Sequence, residues 1–151
     1  MRESVTVHIN ASPKQVWDLV SDVTKIGSYS PETFEAEWLD GATGPAVGAR
    51  FRGHVKRNGV GPIYWSAATV TVCEPGREFT FGVGAPGKAL SWWGYVLEPS
   101  GDGTDVTETF QLKANLPLRL YWLVLGWSRG KTNRNGMRTT LERMKAELEQ
   151  P

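Results

Sequence analysis

The chain has 151 residues, 40% of them hydrophobic and 22% charged, which is enough apolar content for a buried core and too much for disorder. Seventeen Lys and Arg against sixteen Asp and Glu leave a net charge of +1, which disfavours partners bound by neutralising nucleic-acid phosphates. One cysteine, Cys73, excludes an internal disulfide and a Cys-rich zinc site.

Val5, Val7 and Ile9 alternate with polar residues, the period of a half-buried strand. Ser12 then reads as a helix N-cap, with Pro13 at the first helical position and Gln15 completing a capping box. Val16, Leu19, Val20 and Val23 carry helical spacing, so a short amphipathic helix is expected to about Asp22. Gly27 and Pro31 bound a further short helical turn. Beyond Pro31 the period returns to two. Phe34, Ala36 and Trp38 alternate with Glu35 and Glu37, and Phe51, Gly53 and Val55 alternate with Arg52 and His54. Asn58-Gly59 is a strong hairpin signal. Strands are expected over Tyr64 to Glu74, Glu78 to Val83, Leu90 to Glu98 and Asp105 to Leu112, separated by turns such as Pro75-Gly76 and Ser100-Gly101-Asp102-Gly103. Six closely spaced strands with hairpin connections predict an antiparallel sheet.

The last segment is helical. Met137, Leu141, Met144 and Leu148 form a core-facing stripe, and its backward continuation falls on Asn133, Gly130, Gly126 and Leu123. Each helix-interior glycine costs ~1 kcal/mol relative to Ala. Either the helix kinks near Gly126–Gly136, or something other than a side chain fills the space beside it.

The order strand, short helices, six antiparallel strands and long final helix resembles the helix-grip fold, an α+β architecture. Val20-Ser-Asp-Val-Thr-Lys-Ile-Gly27, Ser30-Pro-Glu32, Trp38-Leu-Asp-Gly-Ala42 and Gly48-Ala-Arg-Phe-Arg-Gly53 resemble the START-related SRPBCC superfamily, in particular its bacterial polyketide cyclase/dehydrase-like branch. Trp65, Pro75-Gly-Arg-Glu-Phe79, Trp93-Gly-Tyr95, Glu98-Pro99 and Val106-Thr-Glu-Thr-Phe110 fit the same pattern. His54 departs from it, standing where the Gly-x-Asn of close relatives is expected. The resemblance spans nearly the whole chain and implies a curved sheet around the final helix, with a hydrophobic ligand cavity between them.

Several motifs suggest other chemistry. Gly82-Val-Gly-Ala-Pro-Gly-Lys-Ala89 matches G-x-G-x-x-G, but Ala89 has no hydroxyl for Mg²⁺ and the following residues read as a strand, so a hairpin loop is expected. His8 and His54 fall on polar faces, no metal-ligand spacing exists, and nothing requires a metal, nucleotide or other cofactor. Ser30, between Asp22 and Glu32, is read as turn chemistry. Cys73 is read as a structural thiol. Glu108 is the titratable residue of interest, because it shares a face with Val106, Phe110 and Leu112. It is a structural partner of Arg57, a polar contact for ligand, or an acid/base. Trp38, Phe51, Phe79, Phe81, Trp93 and Tyr95 lie on the apolar parity of their strands, where core packing and cavity lining are both available.

The expected function is binding of a small hydrophobic molecule, a lipid or polyketide-like aromatic. The expected ligand contacts are Trp38, Phe51, Arg57, Phe81, Trp93, Tyr95, Glu108, Gly126, Gly130 and Asn133. The first alternative is a metal-independent cyclase/dehydrase with Glu108 as its catalytic residue. The second is a homodimer formed through Leu116 to Trp127, a stretch that also admits membrane-surface contact as the least favoured reading. A single domain over 1–151 is expected, cytoplasmic in location because no apolar signal-peptide core precedes the first strand.

Overall fold

The computed structural model describes residues 2–56, 63–113 and 134–150. The alternating segments become seven strands: β1 (Arg2–Ile9), β2 (Thr33–Trp38), β3 (Arg50–Val55), β4 (Tyr64–Glu74), β5 (Glu78–Val83), β6 (Ser91–Ser100) and β7 (Gly103–Leu112). They form one antiparallel sheet in the order β1-β7-β6-β5-β4-β3-β2. From β2 to β7 every neighbour in the sheet is a neighbour in sequence, which suits short turns. β1 closes the far edge by pairing with β7, Val5 opposite Glu108 and Val7 opposite Val106.

Between β1 and β2 lie α1 (Pro13–Val20) and a 3-10 segment (Val23–Ser28). α1 starts at the expected place, because the Ser12 hydroxyl accepts from the Gln15 N–H and the Gln15 side chain accepts from the Ser12 N–H. It stops at Val20, two residues before the expected end. Asp22 caps the 3-10 segment by accepting from the Thr24 N–H at 3.1 Å. Gly27 sits so close to β2 that a Cβ there would strike the Phe34 carbonyl.

The final helix, α2, is helical over residues 134–148. Met137, Leu141 and Met144 are fully buried against the concave face of the sheet, as the stripe predicts. Polar contacts pin its rim. Arg134 pairs with Glu3 at 2.9 Å, Lys145 donates to the His8 carbonyl at 3.0 Å, and Ser28 donates to Glu147 at 2.9 Å. A curved antiparallel sheet holding a C-terminal helix is the helix-grip fold, α+β in class.

Two β-bulges alter what alternation predicts. In β2 the register shifts between Thr33 and Glu35, so Phe34 leaves the face of Ala36 and Trp38 and stacks outside on His54, ring centroids 4.5 Å apart. In β4 the shift between Val70 and Val72 returns Cys73 to the concave side, opposite Phe79. Trp65 faces outward, stacked on His54 at 4.1 Å with the Arg52 guanidinium over its ring. The Gly82–Ala89 stretch runs from the end of β5 into a turn and on to β6, so it opens no helix. Arg57, the Asn58-Gly59 turn, Leu116 to Trp127, Gly126, Gly130 and Asn133 lie outside the described residues.

Candidate functional site

The inward residues of the central strands do not meet α2 everywhere. A cavity of about 200 Å³ remains between them. Phe51, Phe81 and Trp93 form its apolar walls from β3, β5 and β6, and Met137 and Thr140 close it from α2. Ala68 and Gly53 contribute little side chain, and a Cβ built on Gly136 would meet nothing within 4 Å. The space therefore exists where small residues stand opposite large ones. Phe51 and Phe81 meet edge to face at 5.0 Å, and Trp93 leans on Phe110 at 4.6 Å, which fixes the ring orientations. The segment from Ser30 to Thr33 also borders the cavity. There the Ser30 hydroxyl accepts from the Thr33 N–H at 3.0 Å, so Ser30 does turn chemistry.

One carboxyl projects into this apolar setting. Alternation along β7 places Glu108 between Val106 and Phe110 on the concave face, where it is 4% exposed. Tyr95 lies directly opposite on β6, and its hydroxyl donates to Glu108 Oε1 over 3.4 Å, long for such a bond. Glu108 Oε2 is buried with no hydrogen-bond partner among the described residues. Burial raises the Glu108 pKa well above the ordinary carboxyl range, and the Tyr95 hydrogen bond offsets this only in part. Burial therefore favours the neutral acid over the carboxylate. Tyr29, fully buried at the end of the 3-10 segment, belongs to the same neighbourhood. Burial pushes its phenol up first, and the nearby Glu108, Asp22 and Glu147 push it further.

Phe51, Phe81, Trp93, Tyr95 and Glu108 are brought together around the cavity. Trp38 stands one layer back: it packs edge-on against Phe51 at 5.9 Å and does not border the space. Sequence reasoning missed Tyr29, Ser66 and Thr140. Ser66 and Thr140 look like ordinary polar positions until β4 and α2 are docked, and Tyr29 was hidden by a turn without a period. Cys73 is half-buried, and burial raises its thiol pKa, the wrong direction for a nucleophile. Among the described residues no cluster of three or more His, Cys, Asp and Glu is placed to hold a metal ion. No helix among them is long and apolar enough to cross a membrane.

A sheet gripping a helix around a partly apolar cavity defines the START-like class of proteins. Residues 2–149 match the family described as polyketide cyclase/dehydrase and lipid transport, and the chain belongs to that family. A START superfamily protein from Mycobacterium smegmatis superposes with a TM-score of 0.76 at 17% identity, over 98% of this chain and 97% of that one. The Polyketide_cyc-like protein Cgl2372 from Corynebacterium glutamicum gives 0.62 at 27% identity, over 98% and 93%. The di-domain ARO/CYC BexL from the BE-7585A biosynthetic pathway gives 0.67 at 17% identity, over 94% of this chain and 46% of that one. At 17% identity the likeness is one of fold. No curated protein matches the chain.

Proposed function

We propose that this chain binds a compact, mainly apolar small molecule in the cavity between the sheet and α2, with Glu108 and Tyr95 addressing one polar group of it. The observation that carries this reading is the combination of aromatic walls with a buried carboxyl, Glu108, whose Oε2 has no partner among the described residues. A cavity near 200 Å³ suits one or two rings, given that an engineered space of ~150 Å³ takes up benzene. Such a ligand buries roughly 200 Å² of apolar surface, comparable to a core aromatic side chain. At ~25 cal/mol per Å² that is about 5 kcal/mol, a Kd on the order of 0.2 mM before ordering costs and polar contacts.

The test uses 2-ethylnaphthalene, calorimetry and a cavity-filling variant. Gly136→Leu extends into open space and replaces a poor helix former, so the variant is expected to fold and to lose binding by about tenfold or more. Absence of binding to the wild-type chain, or unchanged binding to folded Gly136→Leu, would overturn the reading.

The neutral Glu108 also supports a second reading, a cyclase/dehydrase in which this acid moves a proton. That reading predicts turnover of a polyketide-like substrate that drops by about a hundredfold or more in Glu108→Gln. An unchanged rate in that variant would remove it.

A further inference from the structure

Resting on the cavity-binding reading above, we infer that the ligand's polar group is a neutral hydrogen-bond acceptor, a ketone, quinone or ester carbonyl, and that carboxylates are turned away. Glu108 is flanked on its own strand by Val106 and Phe110, faces Val5 on β1, and meets Tyr95 on β6. Its Oε1 already accepts the Tyr95 hydroxyl, while its Oε2 is buried without a partner among the described residues. An acid kept neutral by burial carries a proton, and the oxygen free to present it is Oε2. What this corner of the cavity offers a ligand is thus a donor. A carbonyl oxygen satisfies it, and a plain hydrocarbon leaves it unmade.

Charge settles the rest. The described residues bordering the cavity include no Lys, Arg or His, and their two ionisable carboxyls are Glu108 and Glu32. Against these described walls an entering carboxylate would surrender its hydration without meeting a cation, a loss that one hydrogen bond from Glu108 does not restore. An amine would face the converse difficulty. To pair with Glu108 it would have to ionise that acid in an apolar wall, and desolvating both charges consumes what their attraction returns.

The experiment compares four naphthalenes of similar size on the full chain at neutral pH: 2-acetylnaphthalene, 2-ethylnaphthalene, 2-naphthoate and 2-(aminomethyl)naphthalene. Calorimetry is the readout, with Glu108→Gln and Glu108→Leu alongside the wild type. The expected result is that the ketone binds about fivefold tighter than the hydrocarbon and at least about a hundredfold tighter than the carboxylate. Glu108→Gln keeps the ketone preference, because the amide N–H replaces the acid O–H, and Glu108→Leu abolishes it. If naphthoate or the amine binds as tightly as the ketone while the hydrocarbon also binds, this inference is overturned and the cavity reading stands. A ketone preference that survives Glu108→Leu overturns it equally. If the hydrocarbon does not bind, the cavity reading falls and takes this inference with it.

Discussion

Burial raises the Glu108 pKa in the folded chain well above its ordinary range, and Tyr95 offsets only part of that rise, so folding favours the protonated acid. Below the ordinary carboxyl range both states are protonated and the group costs nothing. As pH climbs from there through the raised value, only the unfolded chain ionises freely, so stability falls by up to about 1.4 kcal/mol per pH unit. Among the described residues, Tyr95 across the strand pair and Tyr29 interact electrostatically with Glu108, and both have pKa values raised above the ordinary phenol, so neither titrates in this window. Glu108→Gln keeps an acceptor for the Tyr95 hydroxyl and removes the ionisation. Denaturant unfolding from about pH 5 to about pH 8 is expected to show the wild type losing stability relative to this variant, the gap widening with pH. Parallel curves would mean that Glu108 is not buried as described. The inward position of Glu108 was legible from Val106 and Phe110 alone. Its partner was not, because the register of β6 against β7 places Tyr95 there and no sequence period reports register.

Among the elements, α1 was the most legible, since Ser12, Pro13 and Gln15 satisfy orphaned backbone groups locally and need no tertiary context. Ser12→Ala removes the cap and is expected to cost about 1 kcal/mol, seen as a thermal midpoint lower by about 3 °C for a chain of this length. An unchanged midpoint would contradict the role of the capping box in fixing α1. The strands were legible in number and phase except where a bulge intervenes. Phe34 shows the failure. One inserted residue moved it off the face that alternation assigned it, whereas Trp65, on the unbulged stretch of β4 and opposite in phase to Val70, faces outward. A bulge depends on cross-strand pairing, so neither strand's own sequence announces it. Phe34, His54, Trp65 and Arg52 form an outward cluster, so these aromatic rings lie outside the core.

For the whole molecule, what matters is where packing stops. The stripe Met137, Leu141 and Met144 fills the space under one end of the sheet, while Gly136, Gly53 and Ala68 leave it unfilled towards the other. The expectation of small residues at one end of the final helix arose from the same stripe, although Gly126, Gly130 and Asn133 lie outside the described residues. That a void results is a property of three docked elements, and a sequence period within one of them cannot report it. Family membership agrees with this architecture, and the proposed ligand chemistry rests on the unpaired Glu108 oxygen and on the lack of Lys, Arg and His among the described residues bordering the cavity. The most direct measurement is a crystal structure of the chain with 2-acetylnaphthalene bound. It is predicted to place the rings among Phe81, Trp93 and Met137, with the carbonyl oxygen ~3 Å from Glu108 Oε2. Density showing protein side chains packed through the same volume, or the ketone bound elsewhere, would contradict the account.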